Sequence, residues 1–225
     1  MDIFIIYGLT ALALVIVLAS QGYINSAYKK YSKISNRKHL TGKEAARLVL
    51  DKNDLKNVKV EEVQGYLSDH YDPKTKTVRL STANYNEESI AAVSVACHEC
   101  GHAIQDKNGY FFLRMRHGLV PFANLASRLG YVAIVIGCLA GIVDLIWIGI
   151  IFELVILLFQ IVTLPVEFNA SSRALKQINE LKILDEREHK QGKTMLTAAA
   201  LTYVASVVST LIEIARLILM FTRRD

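Results

Sequence analysis

The chain has 225 residues, a formal net charge of +5 and an apolar share of 52%. That share and the positive mean hydropathy are unusual for a soluble globule and favour a membrane protein. Three cysteines give no disulfide framework, which fits a reducing cytoplasmic setting. No recognisable nucleic-acid motif accompanies the basic residues, so we expect no nucleic-acid partner.

Residues 1–22 predict an N-terminal transmembrane anchor. Residues 3–20 are apolar and uncharged, close to the ~20 residues that a spanning helix needs. A cleaved signal peptide is the alternative, but such signals begin with basic residues, whereas this chain begins Met1-Asp2. Lysines and arginines gather between Lys29 and Arg47, which favours a cytoplasmic location for the segment behind the anchor.

Residues 23–117 have the pattern of a soluble α+β region. Thr41 and Glu44 have the spacing of a capping box and predict a short helix. Asn86 is expected to cap a second, mostly apolar helix from Ile90 to about Gln105. Turn chemistry before the last of three predicted strands favours a small hairpin sheet. The predicted strands cover residues 58–63, 65–71 and 77–81.

The apolar helix contains His98-Glu99-Cys100-Gly101-His102, an H-E-x-x-H pattern. Residues four apart lie one turn above each other, so both imidazoles can bind one metal ion with Glu99 beside them. Two histidines and a glutamate are costly to bury in an apolar helix without such a partner. Zinc accepts these ligands and keeps a position open for water in catalytic sites. The pattern predicts peptide hydrolysis by zinc-activated water, with Glu99 as the general base.

Cys97 and Cys100 offer a competing interpretation, because C-x-x-C is also a metal or redox spacing. On a helix these thiols lie at a different angle from His98 and His102. A structural zinc site would also need a second C-x-x-C pair, which the chain lacks. We therefore interpret both cysteines as small packing residues.

A long apolar block follows, and residues 118–165 predict a transmembrane hairpin. A single helix over residues 129–165 would extend ~55 Å, too long for one crossing. The turn is expected near Gly137, Gly141 and Asp144. The last segment, residues 194–225, predicts a further transmembrane helix, or one lying partly against the others because Glu213 and Arg216 interrupt it. With four spans, Arg223-Arg224 at its end would lie on the other side of the membrane from the basic residues between Lys29 and Arg47.

A third metal ligand must come from outside the H-E-x-x-H helix. Gln105 and Asn108 stand where a class of zinc proteases has glycine and a third histidine, which excludes that class. Glu167 is favoured because two membrane crossings separate it from His102 and return the chain to the same side. It would belong to a helix over residues 166–193 that opens after Pro165. A helix-stabilising acidic residue is its alternative role. The candidates for the third ligand are Glu153, Glu167 and Glu180.

The sequence offers several candidates for the residues that bind the substrate and stabilise the oxyanion. The strand over residues 78–81 can pair with an extended peptide, or it is a plain sheet edge. Arg173 is the first choice as oxyanion donor, because it follows Glu167 by one to two turns, although a solvated helix charge is the alternative. The full set of candidate donors is Tyr66, His70, Asn169 and Arg173.

These motifs make the whole chain resemble the YugP-like family of membrane-bound neutral zinc metallopeptidases. It is similar, more distantly, to the HtpX and CAAX prenyl endopeptidases, where H-E-x-x-H, a membrane hairpin and E-x-x-A-D follow in that order. Ser171 stands here where those enzymes have aspartate. The resemblance implies a gluzincin-type site with Glu167 as third ligand. The segments that carry it are Asp69–Pro73, Val78–Ser81, Ala96–Gln105 and Leu164–Ser171.

The sequence thus predicts a mainly α integral membrane protein with about four transmembrane helices and a small α+β zincin-like (gluzincin) catalytic region. We expect a multi-pass metalloendopeptidase of the bacterial plasma membrane, with zinc as its metal, a cytoplasmic active site and protein or peptide substrates. Membrane-protein quality control is the role that this combination suggests. The expected partners are the lipid bilayer and either another membrane protein or a second copy of this chain. Hydrolysis of a nonpeptide bond and a noncatalytic zinc-binding scaffold or regulator are the alternatives. Glu99 favours the enzyme, because a structural zinc site does not need it.

Overall fold

The computed structural model describes residues 3–221, so Arg223-Arg224 lies outside the described residues. Within them, seven helices and three short strands follow one another, with all three strands and two helices between the first long helix and the H-E-x-x-H helix. The elements are α1 (Ile3–Tyr31), α2 (Gly42–Lys52), β1 (Lys59–Val63), β2 (His70–Asp72), β3 (Thr77–Ser81), α3 (Thr82–Asn86), α4 (Ile90–Lys107), α5 (Phe111–Ala140), α6 (Val143–Glu180) and α7 (Glu186–Phe221).

Four of the described helices, α1, α5, α6 and α7, are long and apolar enough to cross a membrane. This confirms the prediction of a mainly helical chain with about four candidate spans. The turn of the predicted hairpin lies at Gly141, whose φ of +70° is a left-handed conformation that favours glycine. The amide of Ile142 closes this turn by donating to the carbonyl of Gly137 at 2.9 Å.

The chain divides into two compact units, and the boundaries fall inside the four long helices. One unit contains the chain up to Gln21, Arg114–Leu164 and the chain from Leu201. Its core is an aliphatic cluster on α6 and α7, made of Ile146, Ile150, Leu157, Ile214 and Leu217. The other unit contains Gly22–Leu113 and Pro165–Ala200, and it holds the H-E-x-x-H helix.

The second unit contains a three-stranded sheet in the order β1-β3-β2. Strand β3 pairs in parallel with β1 and antiparallel with β2. The strand predicted over residues 65–71 is shorter than expected and begins only at His70, because Gly65 (φ +119°) and Leu67 (φ +51°) are not extended. Asp72 ends β2, and hydrogen bonds from Thr75 and Arg79 hold the pKa of its carboxyl below the ordinary value.

Helix α4 is the buried centre of the second unit. The prediction that Asn86 caps it is wrong, because a short helix, α3, follows β3 directly and ends at Asn86. The chain then becomes extended, and Ser89 is the cap, its hydroxyl accepting from the amide of Ala92 at 3.1 Å. The capping box on α2 forms as predicted between Thr41 and Glu44.

Helix α6 does not stop at Pro165, where we expected a new helix to open. It continues to Glu180 with the proline inside it. Proline in a membrane helix is tolerated when surrounding elements compensate for the lost backbone hydrogen bond. Val166 and Ala170, just after the proline, are fully buried, so packing holds this part of α6 in place.

Candidate metal centre

The centre depends on a very close approach between α4 and α6. A Cβ built on Gly101 would lie only 2.5 Å from the carbonyl oxygen of Ala170 and 3.1 Å from its Cα. Any side chain at residue 101 would therefore meet the backbone of α6, which a rotamer change cannot relieve. The glycine inside the H-E-x-x-H pattern thus allows the two helices to bring their side chains together.

His98, His102 and Glu167 meet where these helices approach. The Oε2 atom of Glu167 lies 3.3 Å from Nε2 of His98 and 3.7 Å from Nε2 of His102. One ligand atom from each residue lies within 4.8 Å of the others, and the two imidazole planes are nearly perpendicular, at 85°. Glu167 is only 3% exposed, so α6 places a carboxylate in a buried position between two imidazoles.

The orientation of His102 follows from Gln105, one turn further along α4. The Nε2 group of Gln105 donates to the carbonyl of Val166 at 2.7 Å and to Oδ1 of Asn169 at 3.1 Å. Its Oε1 atom therefore faces Nδ1 of His102, at 3.0 Å. Because an amide oxygen only accepts, Nδ1 of His102 carries the hydrogen in this contact, and the neutral ring would offer the lone pair of Nε2 to a metal.

His98 is oriented in the same way by Ser171. Its Nδ1 atom lies 3.1 Å from the Ser171 hydroxyl, which leaves Nε2 directed at Glu167. Ser171 is the residue that departs from the aspartate of the HtpX-type motif, and its hydroxyl occupies the position of a hydrogen-bond partner for the histidine. A hydroxyl accepts less strongly than a carboxylate, and it can also donate, so it orients the ring of His98 without fixing its tautomer.

The electrostatics of the centre couple two carboxyl groups with two imidazoles. Burial raises the pKa of Glu99 above its ordinary value, against the lowering effect of His98 and His102. For His102, burial disfavours the charged form, but the hydrogen bond to Glu167 and its charge outweigh burial and raise the pKa of the imidazole. Glu99 is 8% exposed, so its side chain is largely enclosed by the rest of the unit.

The donor set fits zinc. Two imidazole nitrogens and one carboxylate oxygen are the ligands of a three-protein-ligand catalytic zinc site. Ligand atoms at zinc's bond lengths of ~2.0–2.1 Å in a tetrahedron lie about 3.3 Å apart, close to the two distances measured from Glu167. With both Nδ1 atoms in hydrogen bonds, each histidine offers one free nitrogen. A fourth position would remain for water.

The other candidates for a third ligand lie elsewhere. Glu180 pairs with Lys176 at the end of α6, and Glu153 belongs to the other unit, where Glu213 is a neighbour. Cys97 and Cys100 are fully buried in the hydrophobic core, which confirms their interpretation as packing residues. Burial also raises the pKa of Cys97 to about 12, so its thiol is a poor metal ligand at neutral pH.

The four candidate oxyanion donors have different surroundings. Arg173 donates from Nε to Oδ1 of Asn169 at 2.7 Å, and that amide oxygen also accepts from Gln105. These two residues therefore extend the hydrogen-bond chain that begins at His102. Tyr66 stacks edge-on against Tyr28, and His70 is exposed with Nδ1 near the carbonyl of Ser68. No described contact joins Tyr66 or His70 to the three clustered residues.

Strand β3 is not available to a peptide. Strand addition at residues 78–81 is one of the two interpretations of this strand, and the structure contradicts it because β1 and β2 occupy both edges of β3. The free edges of the sheet belong to the two outer strands. The prediction failed because the pattern of residues 58–63 indicated a strand without indicating that it pairs in parallel with β3 across a longer connection.

Sequence reasoning missed Gln105 and Asp69 as parts of the site. Gln105 follows His102 by three positions on the same helix, a spacing that places two side chains side by side. Asp69 accepts from the amide and hydroxyl of Ser81 and from Asn84, and its charge contributes to the raised pKa of Glu99. Asp69 belongs to the Asp69–Pro73 segment, one of those that carry the family resemblance, and this was the signal that could have identified it.

Comparison with known proteins agrees with the chemistry of the centre. Residues 5–222 match the family model described as "Putative neutral zinc metallopeptidase". The chain is also 43% identical over 213 residues to "Putative membrane protease YugP" of Bacillus subtilis (strain 168), and the match covers 95% of each chain. No solved structure matches it.

Proposed function

The chain belongs to the family of putative neutral zinc metallopeptidases, and we propose that it is a membrane-embedded zinc endopeptidase. The observation that carries this proposal is the meeting of His98, His102 and Glu167 beside the buried Glu99. These three residues would hold zinc, each through one atom. When bound, zinc supplies Lewis-acid chemistry, polarising a carbonyl and making a water molecule more acidic.

Glu99 is the proposed general base. It adjoins His98 on α4 and is buried beside the clustered ligand residues. The carboxylate takes a proton from the water that attacks the peptide carbonyl and gives this proton to the leaving amine. A residue that only supported a structural zinc site would not need a carboxyl group at this position.

The substrate is proposed to lie along β2. This outer strand packs beside α4, because the hydroxyl of Tyr71 donates to Asp106 at 2.7 Å, and Asp69 directly before it is close enough to Glu99 to affect its pKa. An extended peptide that pairs with the free edge of β2 would therefore run past the H-E-x-x-H residues. Strand addition of this kind binds the peptide backbone and tolerates many side chains.

Arg173 is the proposed oxyanion-stabilising residue. Its Nε group is occupied by Asn169, whereas its two terminal NH₂ groups form no hydrogen bond with the described residues. The guanidinium is thus fixed at one side and free to donate at the other. Preorganised donors of this type stabilise the charge that develops on a carbonyl oxygen during hydrolysis.

The proposed location is the bacterial plasma membrane, with the active site on the cytoplasmic side. The basic residues that follow the apolar part of α1 favour the cytoplasm. Helices α5 and α6, joined at Gly141, would cross the membrane twice and return the chain to the side of α4. An active site near the bilayer suits membrane proteins that have unfolded or failed to assemble, so we propose membrane-protein quality control as the role.

The test is metal content together with cleavage of unfolded casein, using detergent-purified protein. Wild type and Glu99→Gln are each expected to bind about one zinc ion, and only the wild type should cleave. Glu180→Gln is the matched control, since this glutamate is on α6 but outside the centre, and it should behave as wild type. Zinc binding without cleavage in any variant would favour a zinc-binding scaffold, and a wild type without zinc would refute the proposal.

A further inference from the structure

A second feature of the unit lies behind the metal centre, between the last turns of α6 and the first turns of α7. The two helices are joined by a short link, and Nε2 of His189 lies 3.1 Å from the carbonyl of Leu175. They run antiparallel, because later residues of α6 face earlier residues of α7. Between them is a groove of about 310 Å³. Its lining residues are Phe168, Ser171, Ser172, Leu175, Lys193, Leu196, Thr197 and Ala200.

The groove has an apolar end and a charged end. Phe168 and Ala200 lie at the end where both helices continue into their apolar stretches, whereas Lys193 lies at the opposite end beside Leu175. Lys193 is exposed and forms no ion pair with any described residue. The hydroxyls of Ser172 and Thr197 lie between the two ends and are also exposed.

We propose that this groove binds one anionic phospholipid of the surrounding bilayer. Its phosphate would pair with the Lys193 ammonium and accept from the Ser172 and Thr197 hydroxyls. The first part of an acyl chain would lie against Phe168 and point toward the apolar stretches of the helices. This is the orientation of a lipid within its own leaflet, so binding requires no rearrangement of the bilayer. The charge of Lys193 selects an anionic lipid over a zwitterionic one.

The groove and the proposed metal centre share one residue, Ser171. Ser171 forms part of its wall, and the hydroxyl of this serine is the hydrogen-bond partner of His98 Nδ1. A lipid in the groove therefore contacts the residue that orients one of the proposed zinc ligands. This step rests on the proposed function, whereas lipid binding itself does not.

Lipid binding can be measured without any cleavage assay. Delipidated full-length protein in detergent is titrated with phosphatidylglycerol or phosphatidylcholine, and bound lipid is counted by native mass spectrometry. One phosphatidylglycerol should bind in preference to phosphatidylcholine. Lys193→Gln should weaken it about fivefold, the effect of one lysine at an anionic surface. Thr197→Phe, which fills the groove and keeps the charge, should weaken it as well. Lys190→Gln is the matched control, an exposed lysine one turn away that does not line the groove.

Equal losses in Lys190→Gln and Lys193→Gln would overturn the proposal, because they would show only a general attraction to basic residues. Binding of palmitate but not of phosphatidylglycerol would also overturn it, since the occupant would then be a free fatty acid. The same titration on Glu99→Gln protein should give the wild-type result. It would separate a failure of the lipid site from a failure of the peptidase proposal.

Discussion

Gly101→Ala tests whether the close approach of α4 and α6 determines the metal centre. The added Cβ would lie 2.5 Å from the Ala170 carbonyl oxygen, and an ordinary contact begins at 3.4 Å, so the helices must separate by about an ångström. A shift of this size in the position of catalytic groups costs about 100-fold in rate. Overpacking costs ~1–3 kcal/mol of stability, although alanine favours the helix by up to ~1 kcal/mol. We expect a modest loss of stability and a loss of at least ~100-fold in cleavage.

The assay combines zinc affinity, measured by competition with a chelating dye, with casein cleavage and thermal unfolding in detergent. Gly22→Ala is the matched control in the same unit, because a Cβ there meets nothing within 4 Å. It should leave zinc affinity and cleavage unchanged. If Gly101→Ala binds zinc and cleaves as the wild type does, the close approach of the helices is not what positions Glu167, and the reasoning fails.

Three further substitutions test the groups around the proposed ligands. Ser171→Ala removes the partner of His98 Nδ1 and should weaken zinc binding at least ~10-fold by dye competition, whereas Ser171→Asp, a stronger acceptor, should retain it; equal affinities in both would rule out this role. Gln105→Met leaves His102 Nδ1 and the Val166 carbonyl without their partner. Thermal unfolding should therefore show a loss of ~1–3 kcal/mol in stability, and zinc affinity should fall by ~10–100-fold. An unchanged zinc affinity would contradict the role of Gln105 in orienting His102. Arg173→Ala should lower kcat by ~100-fold or more with normal zinc content, and Arg173→Lys should recover part of it; a normal kcat in Arg173→Ala would exclude it as the oxyanion donor.

Much of the fold followed from local patterns. The long apolar stretches predicted the four candidate spans, and Gly141 marked the hairpin turn, because both signals depend only on neighbouring residues. The capping box at Thr41 was predicted for the same reason. The order β1-β3-β2 was not predictable, since the pairing of a strand with a distant one depends on the packing of the whole unit.

The continuation of α6 through Pro165 shows a second limit. Proline is a helix-breaking signal in sequence, and a polar segment follows it, so a new helix was the natural expectation. The structure keeps one helix because Val166 and Ala170 are buried against the rest of the unit. Tertiary packing outweighed a local preference of about 3 kcal/mol or more.

The candidate site shows the same division between local and distant information. H-E-x-x-H identified His98, Glu99 and His102 from one helix, and the topology of two crossings singled out Glu167. Gln105 was noticed only as a residue that excluded another class of protease. Its contact with His102 depends on Val166 and Asn169, which lie more than 60 residues away in sequence. A single sequence does not contain that contact.

One short stretch of α6 therefore has two functions in the centre. It supplies the carboxylate of Glu167, and it also orients both histidines of α4, His98 through Ser171 and His102 through the Val166 carbonyl that fixes Gln105. A ligand and the groups that orient the other two ligands thus move together. Since the groove between α6 and α7 includes Ser171 in its wall, any occupant that shifts this stretch would change all three proposed ligands at once, so zinc affinity and lipid occupancy should vary together.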